Sequence, residues 1–267
     1  MTSLTGSDVT APEGDLELEG RIVTASNATF RGQIGDTTVV YKPLIGEKPL
    51  WDFPDRTLAR REVAAYLLSE ALGFGVVPLT WLRDGPFGVG MAQLWCDTTS
   101  GRHPVDLVSP DEADVLQDAG WCRVLDGVDE EDEPVVLLHE DSAALRRMAI
   151  FDLLANNADR KAGHILPTAD GHRFGVDHGL TFHTQNKVRT VLWGWVAEPL
   201  SDEELAAVRS VRDQLDSGRD DSLGEALGEL LATAEVTAVA DRCDQLLAAG
   251  VFPGPQPGLP AVPWPVF

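Results

Sequence analysis

AIFDLLANNADRKAGHILPTADGHRFGVDHGLTF, residues 149–182, is the stretch whose residue types point most directly to chemistry. It begins inside SAALRRMAIFDLLA (142–155), whose apolar positions recur at helical spacing. Asn156 and Asn157 end that helix, and a polar loop carries the chain to His164. Two strand-like pieces, 165–166 and 173–176, form a hairpin around a DGH turn in which His172 is expected to face solvent. Asp177 follows, immediately before His178-Gly179. Asp159 and His164 are five residues apart, and Asp177 lies 18 residues after Asp159.

Upstream, LELEGRIVTASNATFRGQIGDTTVVYKPL reads as an antiparallel meander with strands over 16–23, 28–34 and 37–43. A helix over 56–75 follows, with Gly as its stop. Strands over 76–83 and 88–94 form a hairpin turned at Asp84-Gly85. Residues 97–120 are polar and irregular, with a short helix near 110–116. GWCRVLDGVDEEDEPVVLLHED reads as a further hairpin whose acidic turn, 129–133, is solvated. Helices are expected over 201–215, 222–232 and 236–248, the first opened by a capping box of Ser201 and Glu204. The Pro-rich tail is extended and expected to pack through Trp264 and Phe267. The order predicts an α+β chain with two lobes. Its parts are a disordered stretch 1–15, a β-rich small lobe 16–96, a mostly helical large lobe 97–250 and a tail 251–267, with the linker near 94–104.

Composition narrows the partners. The 267 residues hold 21 Lys and Arg against 43 Asp and Glu, a net charge of −22. No basic stripe is available to offset nucleic-acid phosphates, and electrostatics alone would not seat the chain on an anionic membrane. Cys96, Cys122 and Cys243 are far apart and form no disulfide framework. No apolar run reaches 18 residues, so no integral membrane segment is expected, and the first 20 residues lack the regions of a signal peptide. These features predict a cytoplasmic protein. Only four basic residues are lysines, Lys42, Lys48, Lys161 and Lys187, which marks each as a position where a compact ammonium is useful.

The segment 149–182, taken with VVYKP (39–43) and RREVAAYLLSEAL (60–72), resembles the protein-kinase-like superfamily. It is nearest to the phosphatidylinositol 3-/4-kinase-like branch, and more closely resembles an actinobacterial phosphatidylinositol-kinase-like family that shares the LWGW and Pro-Trp features. The resemblance covers roughly residues 16–200 and implies a two-lobed fold with ATP in the cleft. It matches Lys42 to the lysine on the α/β-phosphates and Glu62 to the glutamate that holds it. Asp159 matches the catalytic aspartate that takes a proton from the acceptor hydroxyl, with Lys161 beside it. Asp177 and His164 fall at the metal-binding positions for Mg²⁺ or Mn²⁺. Ser26, Asn27 and Thr29 match the loop over the phosphates, and Gln93, Leu94 and Trp95 the adenine-contacting linker. The implied activity is transfer of the γ-phosphoryl group to a hydroxyl on a lipid, a polyol or a protein.

Three departures stand out. The phosphate loop has no GxGxxG, position 164 is His where the branch has Asn, and Lys161 stands where many lipid kinases have His after the Asp-Arg pair. Imidazole binds Mg²⁺ poorly and suits Mn²⁺ better. That keeps open a nucleotide-binding pseudokinase acting as a regulatory partner. An AMP transferase on the same fold is a third reading, for which the basic residues it would favour are missing around 93–96. HTQNKVRTVLWGW (183–195) would form one wall of the acceptor site, with Lys187 and Arg189 as candidate anion-binding residues.

Overall fold

The computed structural model describes residues 10–23, 25, 27–54, 56–216 and 222–267. Most of the stretch expected to be disordered, residues 1–9, lies outside these, as does Ser26.

The chain forms two lobes of α+β structure. In the small lobe, β1 (Leu16–Arg21), β2 (Phe30–Ile34), β3 (Thr37–Pro43), β4 (Thr80–Gly85) and β5 (Gly88–Leu94) make one antiparallel sheet in the order β1-β2-β3-β5-β4. Alternation in β3 sets its two faces. Val39 and Tyr41 are buried with Leu16 and Ile34, whereas Val40 and Lys42 face the cleft. The β4–β5 hairpin turns at Pro86-Phe87 rather than at Asp84-Gly85, because the ladder continues to Gly85 opposite Gly88.

Between β3 and β4, α1 (Leu58–Ala71) begins without a side-chain cap from Thr57. The distant Glu47 carboxylate accepts the Leu58 and Ala59 N–H groups instead, at 3.0 and 2.8 Å. This satisfies two helix-start donors from outside the helix. Although α1 precedes the linker in sequence, Ala64, Ala65, Leu68 and Leu72 belong to the main core, together with Leu145, Phe151, Trp195 and Val239 of the large lobe.

The large lobe begins with β6 (Val105–Val108), α2 (Pro110–Asp118), β7 (Trp121–Val128) and β8 (Pro134–Glu140), whose sheet order is β6-β8-β7. Strand β6 lies inside the stretch expected to be irregular. Its four residues are too few to show a period, and pairing with the apolar β8 makes it a strand. Next come α3 (Ala143–Ala155), the short hairpin β9 (Ile165–Pro167) and β10 (Arg173–Gly175), then α4 (Asp202–Asp216), α5 (Leu223–Gly228) and α6 (Thr233–Ala249). The Ser201–Glu204 capping box is present in both directions. The tail packs through Phe252 and Val266, both buried, while Trp264 and Phe267 remain exposed. His172 is half-buried, not solvent-facing, and its Nε2 bonds the Gly75 carbonyl at 2.8 Å. Among the described residues no helix is long and apolar enough to cross a membrane.

Candidate active site

A cleft of about 900 Å³ separates the lobes. Its walls come from β3, the 22–29 loop, the Gln93–Thr98 linker, the loop after α3 and the Asp177 turn. Three of the four lysines, Lys42, Lys48 and Lys161, line it.

Lys42 stands between two carboxylates. Its Nζ lies 2.6 Å from Glu62 Oε1 and also contacts Asp177 Oδ1 directly. Burial alone would lower the Lys42 pKa, but the Asp177 and Glu62 charges outweigh it and hold the ammonium above its ordinary value. The Lys42 charge in turn holds Asp177 well below the usual carboxylate range. The other Glu62 oxygen accepts the His178 N–H at 2.9 Å, so one side chain joins the small-lobe lysine to the large-lobe turn. Asp177 itself adopts a left-handed backbone, φ 61°, a conformation rare outside glycine and concentrated at functional sites.

Asp159 sits on the loop after α3 and lines the same cleft. Burial raises its pKa, against the opposing charges of Lys161, His164 and Arg189. Lys161 Nζ is 3.7 Å from its carboxylate. His164 Nδ1 lies 2.8 Å from the Asp159 carbonyl, and its Nε2 is 3.5 Å from Asp177 Oδ2. The carbonyl only accepts, so Nδ1 carries the proton and Nε2 presents a lone pair toward the carboxylate. An imidazole nitrogen and a carboxylate facing each other beyond hydrogen-bond distance form a donor pair suited to a divalent cation. Among the described residues no cluster of three or more His, Cys, Asp or Glu side chains supplies a complete site.

Asn27 and Thr29 close the loop over the cleft. Asn27 Oδ1 accepts the Lys48 N–H at 2.9 Å, and the Ile22 N–H donates to the Thr29 carbonyl at 2.8 Å. On the linker, the Gln93 side-chain amide donates to Thr80 Oγ1 at 2.8 Å and the Trp95 N–H to the Thr38 carbonyl at 3.0 Å. Gln93, Leu94 and Trp95 all line the cleft, but those two donors are already engaged.

Lys187 and Arg189, the candidate acceptor residues, each have a partner within the chain. The Lys187 ammonium pairs with Asp52 and lies 4.9 Å from the Trp51 ring centroid, fastening the β3–α1 loop to the large lobe. The Lys187 charge is thus engaged by an aspartate within the chain. Arg189 donates Nε–H to the Ala158 carbonyl at 2.7 Å and acts electrostatically on Asp159.

Four residues that the sequence reading left without a role in the site turn out to build it. Arg160, fully buried, pairs with the equally buried Asp152, its Nε at 3.0 Å from Oδ2. Its Nη2 donates to His178 Nε2 at 2.7 Å. A Cβ on Gly175 would stand 2.9 Å from that guanidinium, so the hairpin passes as closely as only glycine permits. Asn157 bonds Asp152 through Nδ2 and accepts the Asp159 N–H through Oδ1, at 2.8 and 3.0 Å. Asn156 donates to the His183 and Gln185 carbonyls, each at 2.6 Å. The helix-ending asparagines thus also hold the two loops that flank Asp159. The signal available in the sequence was their position three and two residues before Asp159.

No protein-family model matches the chain. A solved structure described as a Helicobacter pylori proinflammatory kinase, CtkA, aligns at 12% identity with a TM-score of 0.41, covering 88% of this chain and 97% of the other. A likeness at that level names neither an activity nor a substrate. Protein Rv2133c of Mycobacterium tuberculosis (strain ATCC 25618 / H37Rv) is 48% identical over 264 residues, spanning 96% of this chain and 93% of its own length. The chain belongs to the family of that mycobacterial protein.

Proposed function

We propose that the chain is an ATP-dependent phosphotransferase that moves the γ-phosphoryl group to a hydroxyl acceptor. One observation carries this reading: Lys42 is clamped by Glu62 and Asp177 in the cleft that Asp159 also lines. A triphosphate spreads negative charge over many oxygens, and its transfer needs positioned cations more than covalent chemistry. Lys42 supplies a fixed positive charge, held by Glu62 on one side and Asp177 on the other. Asp177 and His164 are the residues that would hold Mg²⁺ or Mn²⁺, which would neutralise phosphate charge. Asp159 orients the acceptor hydroxyl and takes its proton, with a carboxyl whose pKa burial has raised. Lys161, at the edge of the same loop, offsets charge at the transferred phosphoryl group. Arg189, held on Ala158 beside Asp159, keeps the acceptor-binding role for an anionic substituent.

The loop of Asn27 and Thr29 covers the phosphates through backbone N–H groups, and the linker at Leu94 and Trp95 faces the base. A phosphatidylinositol-type acceptor is the finer reading that the sequence resemblance suggests; the polyol and protein acceptors are its competitors. Incubation with γ-labelled ATP and Mg²⁺ or Mn²⁺, following label into protein, lipid and polyol fractions, tests the activity and the acceptor together. Label in none of them, with ATP bound tightly, would favour the regulatory pseudokinase.

A further inference from the structure

Arg61 and Glu62 are adjacent on α1 and do opposite jobs. Glu62 faces the cleft, while Arg61 turns into the joint between the lobes, where it is 1% exposed. Its Nη1 donates to the Thr181 carbonyl at 2.6 Å, four residues beyond Asp177, and its Nη2 pairs with Glu235 of α6 at 2.5 Å. Its Nε reaches Thr57 Oγ1 at 3.3 Å, and its guanidinium carbon lies 5.0 Å from the Phe53 ring centroid. The second Glu235 oxygen accepts the Ala232 N–H at 3.0 Å, so the acid is itself tied to the start of its helix.

Removing one partner of a buried ion pair leaves the other charge unsolvated, which strongly disfavours the separated state. Swinging α1 away to withdraw Glu62 from Lys42 would separate Arg61 from Glu235 and from Thr181. The same motion would uncover Ala64, Ala65 and Leu68, which are buried in the main core. We infer that Arg61 is a positioning residue that, with Glu235, keeps Glu62 against Lys42 permanently, so that the cleft is assembled without an activating modification or partner. The inference rests on the reading of the cleft as an ATP site.

A double-mutant cycle on ATP affinity tests it, measured by calorimetry with ATP and Mn²⁺ on full-length, folded variants. Glu62→Gln and Arg61→Met should each weaken ATP binding about tenfold or more. The double variant should bind no worse than the weaker single, because both lose the same Lys42–Glu62 geometry. A general packing defect would instead add to the Glu62 loss, and additive effects would overturn the inference. Should Arg61→Met not fold, Glu235→Gln, which keeps the shape and removes the charge, takes its place in the cycle. A loss with Glu62→Gln and none with Arg61→Met or Glu235→Gln overturns the inference alone. No loss with Glu62→Gln overturns the cleft's reading and the inference together. Phosphatase treatment of the purified wild-type chain should leave its ATP affinity unchanged, and a tenfold fall would refute permanent assembly.

Discussion

His164 Nε2 faces Asp177 Oδ2 across 3.5 Å, while Nδ1 of the same ring is committed to the Asp159 carbonyl at 2.8 Å. The backbone of the loop therefore fixes which nitrogen points at the carboxylate. Nitrogen donors suit Mn²⁺ better than Mg²⁺, which prefers oxygen. Mn²⁺ is expected to support nucleotide binding at least as well as Mg²⁺, and His164→Asn to move the Mg²⁺/Mn²⁺ preference toward Mg²⁺ by about tenfold or more. Titration of each metal in the presence of ATP measures this. An unchanged metal profile in the variant places His164 outside the metal's ligands.

The roles of Lys42, Asp177 and Asp159 separate kinetically. Lys42→Ala leaves Glu62 and Asp177 facing each other without a cation and should weaken ATP binding, and Asp177→Ala should remove metal dependence. Asp159→Asn should spare ATP affinity yet lower turnover by roughly 100-fold, the range of a lost general base. Arg189→Ala should raise the acceptor KM and leave the ATP KM nearly unchanged. Undiminished metal-dependent ATP affinity in both the Lys42 and Asp177 variants would remove the basis for the proposed activity.

The candidate residues came from two sources in the sequence. The helix, polar loop and hairpin of 149–182 drew notice to Asp159 and Asp177, and the resemblance matched Lys42 and Glu62 to phosphate-binding positions. Asp159 and Asp177 stood out because each sits in a loop of polar residues after a regular element. What the pattern could not carry was long-range pairing. Lys187 meets Asp52 across 135 residues, and Arg61 meets Glu235 across 174, and neither spacing has a local signature.

Arg160 shows how much of the loop's rigidity lies beneath the cleft rather than in it. Replacing it with Met would leave Asp152 buried and unpaired, at a cost of about 3–5 kcal/mol. For a chain of this size that is a fall in Tm of roughly 10 °C. Asp152→Asn keeps hydrogen-bonding capacity toward Arg160 and Asn157, so its loss should be smaller than that of Asp152→Ala. Thermal denaturation of the three variants orders these effects. Equal melting of Arg160→Met and wild type would show that the pair contributes nothing net.

His139 makes stability depend on pH at a distance from the cleft. The ring is fully buried, 4.3 Å between centroids from Trp195, on the strand that supports the LWGW segment. Its Nδ1 donates to the Glu140 carbonyl at 2.9 Å, and its Nε2 accepts the Gly194 N–H at 3.0 Å. That second bond requires a lone pair, so the site fits only the neutral ring. A Cβ on Gly194 would stand 2.5 Å from Nε2, so only glycine lets the backbone approach the ring this closely. Burial lowers the pKa from 6.5 to about 4. Because the folded chain holds the proton less well than the unfolded one, the stabilisation is complete above pH 6.5 and is lost progressively as pH falls from there toward about 4. The whole shift corresponds to about 3 kcal/mol. His139→Gln, which can offer one donor and one acceptor without titrating, should melt lower than wild type at pH 7.5 but change less between pH 6.5 and 5. Every other titrating group is common to both chains, so the difference between the two profiles isolates the imidazole. Parallel profiles for wild type and variant would show that His139 keeps the same proton affinity in the folded and unfolded chains.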